Sequence, residues 1–392
     1  MPTIPAGLKP EWSVLLTACS RLAPDEKQLR LRYLLESRVH WQRLFALADQ
    51  HGVQPLLHQS LDGVRDLIPA EHWRALEQSH QTNLHKALLL SRELIRIVRH
   101  LRESGLDVMP YKGPALAEFL YGDIALRQSG DIDLLVRLPQ FSRAQAALAK
   151  LGYEPQMSFS HAEQSAYLKS GYECVFDGPA GRNVLEVQWA VEPRFYTVDF
   201  DMDCVFDRAV TVAVAGQEMK TPSPADLFLI LAVHAAKHAW ARLIWISDLA
   251  RLMTLPSLDW EWIASQAKDL GLLRIVTISM LLANRLLGEA IPEPARDRIP
   301  RRKIDEELVS AVQQHILSES AVNVEALGYF RLMLRLRERT TDRLRFLTRL
   351  AFTPGPGEWK AVRLPASLFP LYRVVRLSRL VGRIFLRPGR PA

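Results

Sequence analysis

Apolar residues recur at three- and four-residue spacing in LRYLLESRVHWQRLFALADQHGV and again in KALLLSRELIRIVRHLRESG. That spacing lays one greasy stripe along a helix, so the N-terminal third reads as helical, with Gly105 placed to end the second stretch. The pattern changes at GLDVMPYKG. Residues 106–111 are short, apolar in their middle and bounded by glycines, which predicts a strand, followed after Pro114 by a helix to about Leu120. A strand over residues 131–136 and a helix from about Gln140 to Leu151 come next. In YECVFDGPAGRNVLEVQWAV two runs flank Gly178, Pro179, Ala180 and Gly181, the composition of two strands joined by a turn. Helical spacing resumes at SPAD, where Ser223 can cap, Pro224 suits the first helical position and Asp226 stands three residues past the cap, and it continues to about Leu287. TPGPGEW marks a loop before a last basic amphipathic stretch. The expected fold class is α+β: a small mixed sheet with flanking helices at residues 100–215, set between an N-terminal helical region (1–99), a helical domain (216–330) and a basic C-terminal helical segment (331–392).

Composition sharpens this only in places. At 392 residues and 48% hydrophobic content the chain can bury a large core, which excludes a disordered protein. The longest apolar run, LFLILAV, stops at His234, far short of the roughly 18 residues a membrane span needs. With no charged-then-apolar leader at the N-terminus, a cytoplasmic location is expected. Cys19, Cys174 and Cys204 form no C-x-x-C pair, so neither a zinc ribbon nor a disulfide framework is indicated. The net charge of +7 hides an asymmetry. From Arg331 onward 15 Lys and Arg face 3 Asp and Glu, leaving residues 1–330 at −5. In that tail Arg373, Arg376, Arg379 and Arg383 recur at helical spacing among Leu371, Val374, Leu377 and Leu380. Such a face either is solvated and offsets the acidic body, or rests on anionic lipid at the inner face of the membrane, or touches nucleic acid.

Candidate chemistry sits in SGDIDLLV. Side chains alternate along a strand, so Asp131 and Asp133 share the face opposite Ile132, Leu134 and Val136. Two neighbouring carboxylates repel unless a cation lies between them. In NVLEVQWAV, Glu186 and Gln188 likewise share the face opposite Leu185, Val187 and Trp189. If the two strands are neighbours, three carboxylates converge. Hard cations such as Mg²⁺ bind through a few carboxylates plus substrate phosphates, and two such ions can stabilise the attacking and leaving oxygens of a phosphoryl displacement.

The order strand, glycine, helix, D-x-D strand and later acidic strand resembles the nucleotidyltransferase superfamily of DNA polymerase beta. More closely, YKGPALAEFLYGDIALRQSGDIDLLV, LEVQWAV, LAVHAAKHAWARLIWISDLARL and LPASLFPLYRVVRLSRL together resemble an uncharacterised bacterial nucleotidyltransferase-like family, over roughly residues 35–385. The resemblance implies that Asp131, Asp133 and Glu186 bind Mg²⁺ or Mn²⁺, two ions in all. It also implies that Glu186 helps activate an acceptor hydroxyl, that Gly113 lets backbone N–H groups approach a triphosphate, and that His234, Lys237 and His238 line the nucleotide cleft from the helical side. This chain departs from the pattern at Pro114, which has no N–H to offer, and at Gln188, where the family usually has histidine. Phosphate binding then falls to side chains, with Lys112 and Arg127 as candidates.

Plainer readings stand beside these. Arg127 can pair with Asp123 or Glu118. His234 and His238, four apart on one helical face, lack the glutamate of H-E-x-x-H and can pack on Trp240 or Trp245, while Asp248 can fix an imidazole or cap a helix. The expected activity is a metal-dependent nucleotidyltransferase that moves NMP from an NTP to an unidentified acceptor, a small molecule, sugar, peptide or protein rather than nucleic acid. The alternatives are a nucleotide-binding module without turnover, and an accessory protein held at a membrane surface or on RNA by its basic tail.

Overall fold

The second apolar stripe lies in one long helix, Ala70–Glu103, which buries Leu90, Leu94, Ile97, Val98 and Leu101 along a single face, whereas the first is divided between Pro24–Leu35 and Trp41–Gln50. The chain turns out of it at Gly105, whose φ of +70° is a left-handed conformation open to glycine at little cost. The structure is a computed structural model that describes residues 7–319 and 327–386.

Beyond the turn a five-stranded sheet forms from β1 (Val108–Pro110), β2 (Ile132–Val136), β3 (Glu154–Pro155), β4 (Glu173–Asp177) and β5 (Val184–Gln188), in the order β1-β2-β5-β4-β3. β2 and β5 run parallel at its centre, and the other neighbours are antiparallel. The sheet is mixed and the fold is α+β, flanked throughout by helices. β4 and β5 are the expected hairpin, closed at Gly178, whose N–H donates to the Asn183 carbonyl at 2.8 Å. A second hairpin, β6 (Val210–Val214) with β7 (Gln217–Thr221), was not expected; it turns on Ala215 and Gly216, both at positive φ. The alternating VTVAV followed by Ala-Gly was the available signal.

The two faces of the large sheet meet different cores. Ile132, Leu134, Val136, Leu185, Val187 and Phe176 pack with the stripe of Ala70–Glu103. Met109, Tyr111 and Leu135 instead join the larger core, in which N-terminal helices such as Pro10–Cys19 and Gln54–Asp62 pack with Pro224–Lys237, Leu243–Met253 and Leu273–Leu287. The N-terminal helices and those after residue 216 therefore share one hydrophobic interior. SPAD opens the helix Pro224–Lys237 with the expected cap, the Ser223 Oγ accepting from the Asp226 N–H at 3.2 Å.

The tail folds back on the body. TPGPGEW is a short loop running into the helix Pro356–Ala361, and its Glu358, 2% exposed, lies 3.4 Å from both Arg376 and Arg379 of the helix Tyr372–Leu386. Two arginines of the basic face are thus engaged inside the protein. Arg373 is exposed, and the side chain of Arg383 lies outside the described ones, as do residues 387–392 of the basic segment. Among the described residues no helix is long and apolar enough to cross a membrane.

Candidate functional site

In the parallel pair β2–β5, Asp133 stands directly opposite Glu186, and Leu135 opposite Gln188. Residues side by side in adjacent strands point to the same face, so Asp133, Glu186 and Gln188 all look toward the larger, helical core. Across β5, Gln188 pairs in turn with Glu173 of β4, bringing a further carboxylate to this face. Asp131 lies just before β2 begins. The backbone entering the helix Gly113–Tyr121 passes over it: a Cβ on Gly113 would come 3.3 Å from the Asp131 carbonyl oxygen, and Gly113 has φ +60°. Glycine is required there by close approach and by backbone conformation together.

Lys112, next to that glycine, sends its ammonium to the acids. Its Nζ is 3.0 Å from Asp133 Oδ1 and 4.8 Å from the centre of the Tyr111 ring, and both Lys112 and Asp133 are largely buried. Burial alone would push the Lys112 pKa down, but Asp133 and Tyr111 outweigh it and raise it above the usual lysine value. Burial, and then the charge of Asp133, raise the Asp131 pKa. The same two causes push Glu186 up to about 8. These carboxylates are electrostatically crowded, and Lys112 is the cation paired with Asp133, with the charge of Arg127 also favouring ionised Asp131.

Gln188, 2% exposed, holds the group in place. Its amide nitrogen donates to Glu186 Oε2 at 3.1 Å and to Glu173 Oε2 at 3.2 Å, while its carbonyl accepts from the Tyr111 hydroxyl. A neutral amide with two N–H donors can bridge two carboxylates at once. Glu173 was missed by sequence reasoning, although its register with Gln188 in the hairpin was a usable signal. So was Glu192, 4% exposed, which lies past β5 where no periodicity marks it. Burial raises the pKa of both.

The helical side closes on the sheet through the end of Pro224–Lys237. Lys237 Nζ is 3.0 Å from Glu192 Oε2 and 5.2 Å from the centre of the Tyr172 ring. His234 and His238 pack on Trp245, with ring centres 5.4 and 5.1 Å away, rather than on Trp240. Burial, then neighbouring lysine charge, lowers both imidazoles, His238 to about 4, so both are neutral at pH 7. Their exit is strained: Ala239 and Trp240 both have φ +51°, a conformation that costs non-glycine residues of order 1 kcal/mol or more each. Arg127, 7% exposed, is committed to Asp248 rather than to Asp123 or Glu118, with its Nε and Nη2 3.0–3.1 Å from that carboxylate. The Tyr121 hydroxyl donates to the same carboxylate at 2.8 Å, so Asp248 neither fixes an imidazole nor caps a helix. Nη1 of Arg127 makes no hydrogen bond among the described residues.

The all-oxygen donor set of Asp131, Asp133 and Glu186 suits a hard cation. The side chains are nonetheless not drawn together: among the described residues no three His, Cys, Asp or Glu side chains lie in an arrangement that could hold a metal ion. At Asp133 the position of a counter-charge belongs to Lys112. No curated protein and no solved structure matches the chain. Residues 37–288, well over half of the sequence and including both central strands and the helix Pro224–Lys237, match the model of a family described as uncharacterised nucleotidyltransferase; the chain belongs to that family.

Proposed function

We propose that the protein is a metal-dependent nucleotidyltransferase that moves a nucleoside monophosphate from an NTP to a hydroxyl or phosphate oxygen of an acceptor. One observation carries this reading: Asp133 and Glu186 stand opposite each other in adjacent parallel strands, on the face turned toward the helices. Asp131, Asp133 and Glu186 are the residues that would hold Mg²⁺ or Mn²⁺, which when bound neutralises charge on phosphoryl oxygens. Lys112 and Lys237 supply cations of the cleft for the triphosphate, and Nη1 of Arg127 is a third donor. Glu186 takes the proton of the acceptor hydroxyl as its oxygen bonds to the α-phosphorus. The bond from that phosphorus to the bridging oxygen breaks, and pyrophosphate leaves with the electron pair. Neutral His234 and His238 act as packing for this wall of the cleft and not as cations.

A second reading, nucleotide binding without turnover, is favoured by the Lys112–Asp133 ion pair, which already neutralises one of the acids. Both are tested by incubating the protein with each of the four NTPs, Mg²⁺ or Mn²⁺ and a cell extract, and measuring pyrophosphate. Release by the wild type that is lost in the Asp131→Asn, Asp133→Asn double variant supports the transferase. Equal signal from the two proteins overturns it, and NTP binding without release selects the second reading.

A further inference from the structure

Lys112 occupies an unusual position for a phosphate-binding lysine. Its ammonium is turned to the sheet, 3.0 Å from a carboxylate that is 3% exposed. It also faces acids from every strand that borders the site. Asp131 and Asp133 come from the β2 segment, Glu186 from β5, Glu173 from β4 and Glu192 from the segment beyond β5, and its charge lowers the pKa of Asp131, Glu173, Glu186 and Glu192. From the helical side it meets the neutral imidazoles of His234 and His238 and the ammonium of Lys237, which is itself paired with Glu192.

Buried carboxylates without a counter-charge are costly, and a lysine is a movable point charge on a flexible four-carbon stem. Directly ahead of Gly113, Lys112 sits at the hinge between β1 and the helix Gly113–Tyr121, where the backbone is extended (φ −124°, ψ −160°) and its side chain makes no cap bond to the helix. Among the described residues the ammonium is held by the ion pair with Asp133 and by the side chain of Tyr111.

We propose that Lys112 is a resident counter-ion that stands at Asp133 in place of a divalent cation and exchanges with it, its ammonium then passing to a triphosphate oxygen. This rests on the metal-dependent reading above and adds an order to it: cation first, polyphosphate second. The ion pair that neutralises Asp133 is broken by the incoming ion. The charge set free is delivered to the substrate at that moment. Lys112 therefore opposes cation binding and favours polyphosphate binding.

The opposition of these two effects is the test. Mn²⁺ binding without nucleotide is measured by the loss of the free-ion paramagnetic resonance signal, for wild type, Lys112→Met and Asp131→Asn, Asp133→Asn. Inorganic triphosphate binding is then measured by calorimetry in saturating Mn²⁺. Lys112→Met is expected to bind Mn²⁺ about ten-fold more tightly and triphosphate about ten-fold more weakly, a tenfold change being about 1.4 kcal/mol. Lys112→Arg is expected to restore triphosphate binding. Because Met leaves Asp133 without its partner, Lys112→Gln, which keeps a donor, is run in parallel with a Mn²⁺ thermal shift, and a larger shift than the wild type's is expected in either variant that folds. If wild type takes up Mn²⁺ and both variants bind it equally or more weakly, the exchange is wrong while the metal reading stands. If neither wild type nor variants take up Mn²⁺, both fall.

Discussion

Glu186 offers the sharpest check on the crowding of the acids, because its folded-state pKa of about 8 lies well above the ordinary 4.5. A carboxylate raised in this way binds its proton more tightly in the native than in the unfolded chain. The stability it allows is therefore present below pH 4.5 and is lost as pH climbs through the folded-state pKa near 8. At about 1.4 kcal/mol per pH unit the span would approach 5 kcal/mol, but water reaching the half-buried side chain screens much of it, leaving about 2 kcal/mol. Glu186→Gln copies the protonated form and keeps an acceptor for the Gln188 amide, so it should match the wild type near pH 4.5 and exceed it by about 2 kcal/mol at pH 8. Urea unfolding of the metal-free proteins at half-unit steps between pH 4.5 and pH 8.5 measures the difference directly. Parallel pH profiles for the two proteins would mean that Glu186 titrates as an ordinary surface acid, and the three carboxylates would not form one electrostatic unit.

Two further outcomes follow from individual contacts. Replacing Arg127 with Met leaves Asp248, 1% exposed, without its charge partner, and should destabilise the fold by about 3 kcal/mol in urea unfolding, whereas replacing both residues with apolar ones of similar size should recover most of that loss. Removing the bridge with Gln188→Ala should lower kcat in the pyrophosphate assay with little change in KM for NTP, since it frees Glu186 and Glu173 without touching Lys112 or Lys237; Gln188→His, with one N–H to give at neutral pH, should recover only part of the rate.

How far the sequence could be read depended on whether a residue's role was local. Gly105, Ser223 and the Gly178–Gly181 turn act through their own backbone neighbours, and their patterns announced the helix end, the helix start and the hairpin. The 210–221 hairpin carried the same kind of signal in VTVAVAG and went unread. Arg127 shows the other case. Its acidic neighbours in sequence, Glu118 and Asp123, were the natural partners, yet the one it takes is Asp248, which only the packing of Leu243–Met253 beside the helix Gly113–Tyr121 brings near. His234 on Pro224–Lys237 and His238 just past its end lie side by side as expected, but the choice of Trp245 over Trp240 followed from how the next helix lies on the first.

By itself the sequence determined which face the acids inside the strands take, because alternation along a strand is a property of the backbone and needs no partner: Asp133 away from Ile132 and Leu134, Glu186 with Gln188; Asp131, expected in the same strand, falls just before β2 begins. Tertiary structure decided which strands are neighbours and what fills the space between their side chains. Parallel pairing of β2 with β5 set Asp133 opposite Glu186, and the hairpin added Glu173. The burial that raises their pKa values and draws the Lys112 ammonium inward arises only when the helical core closes over that face. Charge in a folded chain answers to distance and to the exclusion of water, and both are fixed by packing between segments far apart in the sequence.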